Sequence, residues 1–404
     1  MTTTGMQTTE SLEQAHILPI YKRANVVFER GDGVYLFDRD GRRYLDFVSG
    51  VGVAALGHAH PALAKAIAEQ ASTLVHTSNL YYHPLQGELA ARLAAHSSLP
   101  RAFFCNSGTE AVEACLKFAR RYWAASEPSE RAEPAEPRQR SRFVALKHSF
   151  HGRTMGSLSV TWDAHYRDPF GPLIPDVVFA DPYDAQSVAA AITGDTAAVI
   201  VEPIQGEGGV RPLSPEIVAV IAERCARTGA LLIADEVQSG LGRTGQMFHS
   251  ATLGLVPDLM ALGKALGGGM PIGAALFSEK VAQKATPGDH GSTYGGNLLA
   301  CRAALAVLDE LDGGLLAHAR AMGFYLGATL DALKVCHPRI TAIRGAGLMR
   351  GIEIEGDAAA VVTAALGRGL LVNRTAGSVL RLLPPFIVTG QQIDEAVSIL
   401  GEVL

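Results

Sequence analysis

Lys264 is the one amine in the apolar stretch of residues 258 to 278, and three glycines and a proline follow it closely. Burial lowers the pKa of an amine and exposes a nucleophile able to form a Schiff base. A lysine closing a strand is ordinarily a solvated end residue, so its company decides its meaning. Four other loops supply that company, each following a run of β-forming residues. In FFCNSGTEAVEACLKFARR (103 to 121), Ser107 can cap a helix and Glu110 falls at the capping-box position. Such a helix start presents free N–H groups at a positive dipole end, which is a phosphate site. HSFHGRTMGSL (148 to 158) offers Phe150 to stack on an aromatic ligand and Arg153 to clamp a carboxylate. EPIQGEGGV (202 to 210) ends a strand in Glu202 and sets Glu207 between glycines, where it could face a cation. LLIADEVQSGLGRTG (231 to 245) puts Asp235 and Glu236 at the end of a very apolar strand, and a carboxylate there needs a partner.

Other patterns carry less. The pairs His58/His60 and His148/His151 lack further ligands at metal spacing, so no metal site is expected. Gly240, Gly242 and Gly245 spell a literal G-x-G-x-x-G, but two acids precede it and GQMFHSATLG is a poor helix opening. The dinucleotide reading is rejected. A lysine for an imine, an acid for a pyridinium nitrogen, an aromatic for the ring and a helix start for a phosphate together specify pyridoxal phosphate.

The elements that must position these groups follow from the hydrophobic pattern. Between about 100 and 280, apolar strands (RAFFCN, RFVALKH, AAVIVEP, ALLIADEV, DLMALGK) alternate with helical stretches such as SPEIVAVIAERCART. That rhythm predicts an α/β fold with a mainly parallel sheet covered by helices, and ligands at the carboxyl ends of its strands. Residues 25 to 50 read as an antiparallel meander, Pro61 opens a helix, and the chain beyond about 305 reads as a smaller α+β domain. The expected division is 1–60 packing with the small domain, 61–305 as the large domain, and 306–404 as the small one. The Pro-, Glu- and Arg-rich segment 125 to 141 is expected to be a mobile surface insertion. With 404 residues, 48% hydrophobic side chains and a net charge of −5, the chain should be globular, with neither nucleic acid nor membrane as its main partner. Five scattered cysteines without a C-x-x-C pair, and a polar N-terminus, predict a cytoplasmic protein with free thiols.

From about residue 20 onward the chain resembles the class III pyridoxal-phosphate aminotransferases, most closely the acetylornithine aminotransferase group. NSGTEA, FHGRT, EPIQGEGGV, DEVQSGLGRTG, GKALGGG and HGSTYGGN all match, in order. The resemblance implies a fold-type I transferase in which Lys264 holds the cofactor as an imine and transfers protons. Asp235 would keep the pyridine nitrogen charged, Val237 and Phe150 would sandwich the ring, and Gln238 would lie near the phenolic oxygen. Ser107, Gly108 and Thr109 would bind the phosphate, helped by Ser292 and Thr293 across a homodimer with shared sites. Arg381 would grip the α-carboxylate of glutamate, Glu207 would pair with Arg381 when the other substrate is bound, and Arg153 would hold the remaining carboxylate. The implied reaction exchanges the terminal amino group of an N2-blocked ornithine or lysine with 2-oxoglutarate, in arginine or lysine biosynthesis. The alternative is another ω-aminotransferase, such as one acting on 4-aminobutyrate or free ornithine. The small run Ser49 to Val53, where free-ornithine enzymes carry a tyrosine, favours a blocked α-amine. GRTMGSLSVTW (152 to 162) also resembles the lysine branch, whose substrate is joined to a small amino-group carrier protein.

Overall fold

A computed structural model describes residues 8–125 and 140–404. The expected insertion therefore falls, at 126–139, outside the described residues. After a short helix (Thr9–His16), β1 (Phe28–Asp32), β2 (Tyr35–Asp38) and β3 (Arg43–Asp46) form the antiparallel meander, with Asp32 opposite Tyr35 across the first turn.

The central sheet contains β4 (Arg101–Cys105), β5 (Arg142–Leu146), β6 (Val177–Ala180), β7 (Thr196–Val201), β10 (Leu231–Asp235), β11 (Leu259–Leu262) and β12 (Gly273–Phe277). A two-stranded ribbon of β8 (Ile204–Gln205) and β9 (Arg211–Pro212) carries the loop with Glu207 at its tip. The seven strands lie in the order β4-β12-β11-β10-β7-β5-β6, and β12 alone runs against its neighbours. This is the mainly parallel α/β sheet that the alternating pattern implies. Every residue of β7 and β10 is buried, as expected of continuous apolar strands covered on both faces. β6 escaped the sequence reading because VVFA is only four residues long, too short for its pattern to stand out.

Local signals set the helices that cover the sheet. The helix Pro215–Thr228 starts at Ser214, whose hydroxyl accepts from Ile217 N, and stops at Gly229 in the left-handed conformation (φ 79°). The helix Gly108–Ala124 buries Ala111, Val112, Cys115 and Ala119 against the sheet at helical spacing.

A second sheet joins β13 (Ile340–Ala346), β14 (Met349–Ile354), β16 (Asn373–Thr375) and β17 (Val379–Leu382) in the order β13-β14-β17-β16. The short β15 (Leu370–Leu371) leaves that region and pairs in parallel with β3 of the meander. The helix Leu298–Glu310 runs across positions 305 and 306 without a break. Among the described residues no helix is long and apolar enough to cross a membrane.

Candidate functional site

Four adjacent strands of the sheet, β11, β10, β7 and β5, run parallel and so deliver their following residues to one edge. Each brings an ionisable group there: Lys264 just after β11, Asp235 at the end of β10, Glu202 just after β7 and His151 on the loop after β5. Strand β11 stops at Leu262, and Lys264 opens a 3-10 turn (Lys264–Gly267) rather than closing the strand. Its φ of 41° lies in the left-handed region, which is strained for a non-glycine residue.

These groups line a cavity of about 250 Å³ together with Gly108, Thr109, Phe150, Arg153, Glu207, Val237 and Gln238. Two glycines make it possible for the loops to meet. A Cβ on Gly263 would lie 2.9 Å from Gly108 Cα, and one on Gly108 would lie 2.5 Å from Val237 Cγ1. The turn holding the amine, the helix start and the wall at Val237 are therefore in direct contact. At that helix start Ser107 Oγ accepts from Glu110 N (3.3 Å). The Glu110 carboxylate reaches Asn106 N (2.7 Å) and Ser107 Oγ (3.0 Å), one residue further back than a standard capping box.

Burial, then the positive charge of Arg381, pushes the Lys264 amine below its ordinary range against the opposing pull of Glu207, Asp235 and Glu202. Asp235, 5% exposed, accepts from His151 Nδ1 (2.7 Å) and Val237 N (3.1 Å). Burial pushes Glu202 up to about 7, and its two oxygens accept from Phe150 N and Gly206 N (2.9 Å each). Behind two of the lining residues Arg381, 2% exposed on β17, donates from Nη1 to Glu207 Oε1 (2.5 Å) and to Gln238 Oε1 (3.3 Å). Burial raises the Glu207 carboxyl, but the charge and hydrogen bond of Arg381 outweigh it and hold the group below the ordinary carboxylate range. Arg153 is exposed, with its guanidinium 3.5 Å from the Tyr166 ring centroid.

A cavity with a helix N-terminus at one end, an aromatic and a branched side chain lining it, a buried acid and a depressed amine suits a flat, phosphorylated, aldehyde-bearing ring. Of the residues singled out from the sequence, Ser107, Arg381, Ser292 and Thr293 are not among those lining it. Ser292 and Thr293 border a separate cavity with Phe103, Asn106 and His290. Asn79 ties that segment down through Ser292 O (3.1 Å) and Gly295 O (3.0 Å), beside the strongly exposed Leu80, Tyr81 and Tyr82. The sequence reading missed two contributors. His151 had been weighed only as a zinc ligand, although its loop follows a strand at the same edge. Thr375, whose hydroxyl bonds the backbone oxygen of Glu207, carried no signal at all. Among the described residues no cluster of His, Cys, Asp and Glu is placed to hold a metal. The G-x-G-x-x-G stretch opens no helix: Arg243 within it is buried and donates to Leu348 O (3.2 Å) and Pro384 O (2.5 Å).

The model of the family described as "Aminotransferase class-III" matches residues 19–404. The acetylornithine aminotransferase of Aquifex aeolicus is 46% identical over 390 residues, covering 96% of this chain and 100% of that protein. The crystal structure of ornithine aminotransferase from Toxoplasma gondii ME49 superposes with a TM-score of 0.89 at 31% identity, covering 99% of this chain and 95% of that one. An amine transaminase from an uncultivated Pseudomonas species, in its PLP-bound form, gives a TM-score of 0.85 at 33% identity, covering 96% of this chain and 97% of that one.

Proposed function

The chain belongs to the class III aminotransferases, and from that premise we propose that it moves the terminal amino group of N-acetylornithine to 2-oxoglutarate, giving the semialdehyde and glutamate. It is an aminotransferase that uses pyridoxal phosphate. That cofactor, when bound, supplies the electron sink that lets a C–H bond next to nitrogen ionise. Everything else is done by side chains of this chain. Lys264 Nζ is the group that would bind the aldehyde carbon and, once released, would carry the proton between the reacting carbons. Its depressed pKa favours the neutral amine that both tasks require. With the cofactor in this cavity, Asp235 would face the ring nitrogen and keep it charged, Phe150 and Val237 would flank the ring, and Gln238 would lie by the phenolic oxygen. Ser107, Gly108 and Thr109 would donate to the phosphate from the helix start.

The observation that carries the substrate assignment is the Arg381–Glu207 ion pair, whose carboxylate lines the Lys264 cavity. One pocket must admit glutamate, which reacts at its α-amine, and a second substrate that reacts at its far end. With the pair closed, Arg381 is neutralised and the terminal amine of the blocked ornithine enters. With Glu207 displaced, Arg381 grips the α-carboxylate of glutamate while Arg153 holds the other carboxylate. A charge-assisted bond of this sort is worth about 1.5–3 kcal/mol, enough to choose between the two poses.

The decisive experiment is a substrate panel with 2-oxoglutarate as acceptor: N-acetylornithine, free ornithine, 4-aminobutyrate and a lysine linked to an acidic carrier protein. Fastest turnover of N-acetylornithine is expected, and fastest turnover of any other substrate overturns the assignment. Arg381→Ala should slow the glutamate half-reaction by about 10- to 100-fold and the terminal-amine half-reaction far less. Equal loss in both would remove the switch from the mechanism. The homodimer belongs to the same proposal: Ser292 and Thr293 of each protomer would complete the phosphate site of the other. The apolar surface at Leu80, Tyr81 and Tyr82 beside them supports that arrangement.

A further inference from the structure

Asp235 lies at the end of β10 and His151 lies two strands away, on the loop after β5, yet their side chains meet over Glu202 at the end of the intervening β7. The contact is direct, from Nδ1 to Oδ2 at 2.7 Å, with the two side chains 0% and 5% exposed. His151 is held in place from its backbone, whose N–H donates to Thr161 Oγ1 (2.9 Å). Its other ring nitrogen, Nε2, is buried with no hydrogen-bond partner among the described residues. A buried imidazole that leaves one nitrogen unused is costly unless the other has a specific task.

We propose that His151 is the positioning residue for Asp235: its Nδ1–H fixes the rotamer of the carboxylate and holds it as the anion that meets the ring nitrogen of the cofactor. This rests on the reading of the cavity as a pyridoxal-phosphate site and adds a residue to it. The hydrogen-bond pattern favours a proton on Nδ1, because a carboxylate oxygen accepts there and Nε2 has no partner among the described residues. Glu202 sits between the two loops with both oxygens already engaged by Phe150 N and Gly206 N. It therefore ties the His151 loop in place without competing for Nδ1. A carboxylate left without this donor can rotate or take up a proton, and either change weakens its hold on the charged ring nitrogen.

The test compares three variants of the purified enzyme, stripped of cofactor and titrated with pyridoxal phosphate. His151→Ala removes the donor. His151→Asn keeps an N–H at the place of Nδ1, and His151→Gln moves it to the place of Nε2. The readouts are the dissociation constant of the cofactor and the position of its visible absorption band. His151→Ala and His151→Gln should weaken cofactor binding by about tenfold or more and shift the band, while His151→Asn stays within about threefold of wild type. If His151→Ala does not fold, the comparison of Asn with Gln decides alone. Unchanged affinity and spectrum in Ala or Gln overturns the proposal, as does an Asn variant as weak as Gln. A wild-type chain that yields no borohydride-fixed pyridoxyl group on Lys264 would instead sink the reading of the site itself.

Discussion

Lys264 gains its reactivity from its surroundings, since burial and the charge of Arg381 lower its pKa while three carboxylates pull the other way. Lys264→Arg keeps a cation but cannot form an imine, so borohydride reduction followed by peptide mapping should find no fixed cofactor at that position. Glu202 makes a different prediction. Burial raises it from 4.5 to about 7, against the pull of His151 and with the push of Asp235. Between those values the folded chain binds this proton and the unfolded chain does not. The contribution of this group to stability therefore falls as pH rises from 4.5 to about 7 and is constant above that. In cofactor-free protein, Glu202→Gln should flatten the pH dependence of Tm over that interval, and an unaltered profile would count against it. At this scale the sequence exposed Lys264, Asp235 and Phe150, because each is a residue type suited to a ligand at or just after an apolar strand. It could not expose the His151–Asp235 contact, which depends on β7 lying between β10 and β5. Sequence spacing holds no trace of that strand order.

Among the elements, the helix Gly108–Ala124 and the turn after β11 were legible from small residues and a capping serine. Their mutual contact was not, because backbone packed on backbone leaves no mark beyond a pair of glycines. That contact can be tested. Gly263→Ala would put a methyl group 2.9 Å from Gly108 Cα and should destabilise the fold by about 1–3 kcal/mol, read as a lowered Tm. Gly313→Ala, with nothing within 4 Å of its added Cβ, is the control and should change Tm little. Equal Tm values in the two variants would mean that the loops are free to part. The one-residue extra reach in the Glu110 box has the same origin. A glutamate three residues into a helix was visible, but which backbone N–H it would meet depended on how the loop before Ser107 folds back.

At the scale of the molecule, the α/β class and the mainly parallel sheet followed from strands alternating with helices, a pattern that long βαβ segments impose on any sequence. The sequence leads one to expect the N-terminal segment beside the small domain, but not the strand pairing that joins β3 to β15, because a two-residue strand has no periodicity to read. The proposed homodimer predicts complementation. Lys264→Ala and Thr293→Glu should each be nearly inactive alone. Mixed and reassembled, they should regain about a quarter of wild-type activity, since half the dimers then carry one intact site. No recovery would assign each site to a single chain. The parallel junction of β3 with β15 sets Leu45 beside Leu370, and Ser49 Oγ donates to Leu383 O (2.6 Å). The meander thus waits for a partner made far later in translation. Until Leu370 is made the meander keeps a bare edge, and premature termination before it would leave that edge free to seize a neighbouring nascent chain.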